Sequence, residues 1–114
     1  MTYLGVRGRD GRCHVRIHDE AADTDYGPLP LRNDLANHCP YFDWGLMVTQ
    51  QTDQLALALL AHHLGDDGRA IDLHHDFRRA VVARLPLESW SLTAERIGAE
   101  IAAIEADRRG DIAF

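Results

Sequence analysis

Between Gln54 and Leu64 the chain reads Gln-Leu-Ala-Leu-Ala-Leu-Leu-Ala-His-His-Leu, and a helix drawn through it is apolar on almost every side. A helix without a polar face must lie inside the molecule, so the rest of the chain has to wrap around it. Its ends are marked: Thr52 or Asp53 can cap the start, and Gly65 supplies the left-handed residue that stops it. Eleven residues are far too few to cross a bilayer, so this is a core helix.

A second helix is expected from about Gly68 to Leu85, capped by Asp66 or Asp67 and stopped by Pro86. Ala70, Leu73, Phe77, Ala80 and Val81 form its apolar stripe, and the short Gly65 connection folds it back on the first helix as a hairpin. Beyond Glu88-Ser89-Trp90-Ser91-Leu92, Thr93 caps a third helix in which Ile97, Ile101 and Ile104 share one face. Arg96 with Glu100 and Glu105 with Arg109 are spaced to pair along its solvent side.

The N-terminal third reads differently. Residues 2–7 and 12–18 flank Gly8-Arg9-Asp10-Gly11, whose residues tolerate positive φ, which predicts a β-hairpin. In the second strand Cys13, Val15 and Ile17 alternate with Arg12, His14, Arg16 and His18, so the first set faces the core and the second faces water. From Asp19 to Pro40 turn formers and helix-capping residues dominate, which predicts a loop with one short extended piece at Leu29–Leu31. Two strands alone are marginal, and the aromatic and apolar run Tyr41–Val48 is expected to form the third. The fold class is therefore α+β: a small antiparallel sheet, hairpin plus third strand, packed on about three C-terminal helices. At 114 residues it is one domain.

Charge narrows the function. The formal net charge is -6, which disfavours general attraction to nucleic acid or anionic lipid. No apolar run is long enough for a membrane span and no signal-peptide core opens the chain, so a cytoplasmic protein is expected. Cys13 and Cys39 are isolated and are expected as free thiols.

Catalytic and metal-binding patterns are weak. The doublets His62-His63 and His74-His75 lack metal-site spacing, and adjacent helical residues point about 100° apart, so each doublet is expected to offer one ligand per site. His38-Cys39 sits in no nucleophile signature, and the glycines between Gly5 and Gly11 lack phosphate-loop spacing. No catalytic residue, metal or cofactor is expected, and an enzyme would require folding to gather His38, Cys39 and the doublets in one cleft.

The charge distribution is more informative. Residues 1–16 carry four arginines against one aspartate, whereas the rest carries eight arginines against seventeen acidic residues. Arg9, Arg12, His14 and Arg16 thus form a cationic strand face, suited to phosphates or to an acidic protein surface. Asp66, Asp67, Asp72 and Asp76 gather on the helical hairpin, where carboxylates can imitate a row of phosphates. Both faces are candidates for partner binding, set against the plainer reading of solvated faces neutralised within the molecule.

Tyr3-Leu4-Gly5-Val6-Arg7, Phe42-Asp43-Trp44-Gly45, Gln54-Leu55-Ala56-Leu57-Ala58-Leu59-Leu60 and Trp90-Ser91-Leu92-Thr93, in that order, resemble a family of short bacterial and phage proteins with no assigned activity. The resemblance spans roughly residues 3–98 and departs where Met47–Asp53 replaces a Gly-Ser-Gly-Pro-like link. It implies an accessory role, including inhibition of a host defence complex in the manner of anti-CRISPR proteins. The leading expectation is a non-enzymatic protein-binding module of this kind. The alternative is a small nucleic-acid-binding accessory protein that uses the arginine hairpin.

Overall fold

A computed structural model of the chain describes residues 1–45 and 49–110. The elements run β1 (Thr2–Arg7), β2 (Cys13–Asp19), β3 (Thr24–Pro28), α1 (Gln50–Leu64), α2 (Asp67–Ala80), a 3-10 turn (Val82–Arg84), β4 (Ser89–Thr93) and α3 (Ala94–Arg109). One antiparallel sheet has the order β3-β2-β1-β4. The architecture is α+β, with the sheet and all three helices closing over a single apolar core.

The hairpin forms where the sequence places it. Gly8 donates to Arg12 O at 2.8 Å, the Asp10 carboxylate accepts from Arg12 N at 3.0 Å, and Gly11 sits at φ +81°. Alternation then sorts the faces: Tyr3, Val15, Ile17, Trp90 and Leu92 are buried, while Leu4, Val6, His14, Arg16, Ser89 and Ser91 are exposed.

The third strand is not where it was expected. Residues 41–45 form no strand, and the remainder of that segment, residues 46–48, lies outside the described residues. Instead Thr24–Pro28, within the expected loop, pairs with β2 across an irregular register. The turn formers are tolerated because β3 is an edge strand, where Gly27 at φ +88° and Pro28, which has no N–H to donate, disturb only one ladder. The fourth strand, Ser89–Thr93, was expected only as a lead-in to α3; it pairs with β1 from Val6↔Ser89 to Thr2↔Thr93.

The central helix is buried from Thr52 through Ala61 and ends at Gly65, φ +63°. It begins earlier than expected, at Gln50, so Thr52 and Asp53 are buried first-turn residues and not caps. Asp66 caps α2, accepting from Arg69 N at 3.1 Å, and α2 ends at Ala80 rather than running to Leu85. Asp53, early in α1, lies 2.8 Å from Arg78, late in α2, so the two helices run antiparallel. Along α3, Ile97, Ile101 and Ile104 are buried, and Glu105 is held by Arg69 of α2 at 2.8 Å. No helix among the described residues is long and apolar enough to cross a membrane.

Candidate functional site

The outward face of the sheet is built by strict alternation on three strands. Leu4 and Val6 leave β1 on this face and are 38% and 51% exposed, large values for aliphatic side chains in mid-strand. The register sets Leu4 between Arg16 and Ser91, and Val6 between His14 and Ser89. The result is a small apolar centre with a cationic flank on one side and serines on the other. Arg9 and Arg12 extend the charge into the exposed turn. Part of it is met internally: Arg16 lies 2.9 Å from Asp25, and Arg12 lies 3.7 Å from Asp10. Beyond the end of the face is an open depression of about 480 Å³, lined by Arg12, Cys13, His14, Tyr41 and Asp43 among others.

The acidic candidates are placed differently. Asp66 is the α2 cap, and Asp67 lies 3.0 Å from Arg32. Arg108 bridges Asp72 at 2.7 Å and Asp76 at 2.8 Å, and Arg79 also pairs with Asp76. Each of the four carboxylates therefore has an internal partner, so the row presents far less free negative charge than its sequence suggests.

Three motifs that stand far apart in the chain meet below the depression. Arg7 donates from Nη2 to the Asp43 carboxylate at 2.7 Å and from Nε to Leu87 O at 3.0 Å, with its guanidinium 5.4 Å from the centre of the Trp44 ring. Trp44 donates to the same Leu87 carbonyl at 2.9 Å and meets Trp90 edge to face, ring centres 5.3 Å apart. Gly5 lies directly against the Trp90 indole. Burial opposes ionisation of Asp43, but hydrogen bonds from Arg7, Trp44 N and Cys13 hold its carboxyl below the usual range. This arrangement is a structural clasp.

Cys13 borders the depression but is a poor nucleophile. Burial, reinforced by the Asp43 charge, pushes its thiol up to about 11. Cys39 is buried, and both cysteines are free thiols. Iodoacetamide at pH 8 is expected to label neither within an hour in the native protein and both in denaturant. Cys13 labelling should accelerate as pH rises towards 11, because only the thiolate reacts. Rapid native labelling at pH 8 would show a lowered thiol instead.

The two histidine doublets lie in different places. His62 Nδ1 shares a 2.6 Å hydrogen bond with the Tyr3 hydroxyl, which burial pushes up to about 12, so Tyr3 keeps its proton. His74 and His75 lie elsewhere and are joined by His38, from the segment preceding α1. Their rings are close: 4.1 Å between the centres of His74 and His75, 5.1 Å between His38 and His74. This corrects the expectation that a doublet offers one ligand, because a helical offset separates the Cβ atoms but long imidazoles can still converge. Burial lowers the pKa of His74, favouring neutral imidazole. Cys39 does not join them; its backbone N–H is held by Gln54 Oε1 at 3.2 Å. Cys39, His38 and the two doublets therefore do not assemble in one cleft.

Sequence reasoning missed two features. Leu4 and Val6 are legible as an exposed pair only once β1 is known to lie between two strands. His38 has no local signal linking it to His74 and His75, since their meeting depends on where the segment before α1 docks.

No curated protein and no solved structure matches the chain. A family model does, over residues 3–103, a span that includes the clasp, the outward sheet face and the histidine group. The chain belongs to a family of unknown function (DUF6166).

Proposed function

We propose that the protein is a non-enzymatic binding module that docks the outward face of its sheet onto an acidic protein surface. One observation carries the reading: Leu4 and Val6 stand exposed at the centre of that face, flanked by His14 and Arg16. Apolar side chains ringed by arginine and small polar residues have the make-up of an interface core and rim. Arginine contributes paired donors for carboxylates, and Arg12 and Arg16 can exchange their exposed partners Asp10 and Asp25 for carboxylates of the partner. The neighbouring depression can accept a protruding side chain of the partner. Two free cysteines fit a reducing, cytoplasmic setting.

A small inhibitor carried by a phage or mobile element, directed at a host nucleic-acid-processing complex, suits a chain that works by surface alone. The exposed Leu4 and Val6 at the centre of the cationic face favour the sheet over the helices as the working surface.

The test is comparative capture from a bacterial lysate with the native protein and with a Leu4→Ser/Val6→Ser/Arg12→Ala/Arg16→Ala variant. Any protein lost by the variant is then purified and titrated directly. The expected partner has an acidic site, binds at least about tenfold more weakly to the variant, and weakens with added salt. Identical capture by both proteins, or a low-salt gel shift of DNA or RNA by the isolated chain, would overturn the proposal.

A further inference from the structure

From the way the three imidazoles are held, we infer that His38, His74 and His75 form a binding site for a divalent transition metal of the zinc type. Among the described residues, one ring nitrogen from each lies within 4.8 Å of the others. His38 Nε2 and His74 Nε2 are only 3.0 Å apart. Two histidine nitrogens bound to one tetrahedral zinc stand about 3.3 Å apart, from bonds of about 2.0 Å, so this pair is already at ligand spacing and the third needs a shift of up to about 1.5 Å.

The outer partners give the stronger argument. His74 Nδ1 lies 2.6 Å from the Ile71 carbonyl, which can only accept, so Nδ1 carries the hydrogen and Nε2 is left with its lone pair. His75 Nδ1 lies 3.1 Å from the Asp53 carboxylate, which likewise accepts, and the same tautomer follows. A backbone carbonyl on one imidazole and a carboxylate on another are the outer supports by which proteins orient metal-binding histidines. Asp53 is itself buried in the first turn of α1, with Arg78 at 2.8 Å balancing its charge.

The third ring is positioned by its backbone. His38 N–H donates to Gln54 Oε1 at 2.8 Å, which ties the segment before α1 to the buried helix. Without metal, His38 supplies the hydrogen between the two Nε2 atoms, since His74 Nε2 has none. Binding requires that hydrogen to leave His38 Nε2, by exchange with solvent to Nδ1, so that the Nε2 lone pair faces the metal. His74 is buried, His38 half-buried and His75 exposed, so the group opens to solvent on one side, where water would complete the coordination. Metal there would join the segment before α1 to α2 through one ion, with Asp53 of α1 supporting His75 from behind.

The experiment uses the full chain, stripped with chelator and titrated with zinc and cobalt. The expected result is one metal per chain, a four-coordinate cobalt spectrum, and a Tm rise of roughly 10 °C at a hundredfold excess over Kd. His38→Ala and His75→Ala, both outside the apolar core, should each weaken binding at least about a hundredfold, and Asp53→Asn about tenfold or more. His63→Gln, at the other doublet, should bind as the native protein does. Substoichiometric binding, an octahedral cobalt spectrum, or affinity indifferent to His38→Ala and His75→Ala would overturn the inference. The cobalt spectrum of the native protein decides the matter even if a variant folds poorly.

Discussion

Gly5→Ala should be among the most damaging single-methyl changes in the protein, lowering stability by about 3 kcal/mol and Tm by roughly 12 °C. A Cβ at this position would fall 2.1 Å from the Trp90 ring, and every nearest atom it meets belongs to that indole. Trp90 cannot retreat freely, because Trp44 packs on it edge to face and Trp44 is tied to Leu87 O at 2.9 Å. The backbone here is ordinary strand, so the demand for glycine is one of space. Trp90→Leu opens room, and the double variant should be no less stable than Trp90→Leu alone. Additive losses in chemical denaturation would show that the indole is not what excludes the methyl.

The second large effect is expected at Gln54. Its side chain is fully buried, accepting from His38 N at 2.8 Å and Cys39 N at 3.2 Å, and donating to Leu31 O at 2.7 Å. Gln54→Leu keeps the size and strands three backbone groups at once, each costing about 1 kcal/mol or more if water cannot reach it. A loss of about 3 kcal/mol is expected, with faster amide exchange across 31–39 and weaker metal binding through His38. A change within 1 kcal/mol in denaturant titration, with exchange unaltered, would contradict the anchoring role.

These two residues show what the family-like motifs are for. Tyr3-Leu4-Gly5-Val6-Arg7 places Gly5 under Trp90 and Arg7 on Asp43, while the Gln of Gln54-Leu55-Ala56 ties the preceding segment to the buried helix. Each residue is readable from the sequence as a type, but its reason lies in a partner 15 to 85 positions away, which no local pattern encodes.

Elements with strong periodicity were legible: the hairpin, the buried α1, the Asp66 and Thr93 caps and the isoleucine face of α3. The aromatic run at Tyr41–Gly45 has strand composition, yet Phe42 and Trp44 are buried in irregular backbone, where the Trp44 amide and indole N–H donate to Asp43 and to Leu87 O. Conversely, Thr24–Pro28 looks like a turn and pairs as an edge strand, where local propensity counts least. Ser89–Thr93 carries the two-residue alternation of a strand, but only its pairing with β1 distinguishes it from a helix lead-in. The cationic strand face was visible at once, whereas the apolar centre that makes it a candidate interface was not. The internal pairing of the acidic helix residues needed α3 in place, since Arg108 reaches back 36 and 32 positions to Asp72 and Asp76.

The most direct check on the binding role is backbone and methyl NMR of the labelled protein titrated with the captured partner. Perturbation centred on Leu4, Val6, Arg12, His14 and Arg16, with the outer faces of α2 and α3 unaffected, is the expected outcome. Perturbation centred on Asp66, Asp67, Asp72 and Asp76, with Leu4 and Val6 unchanged, would mean that the sheet face is not the working surface.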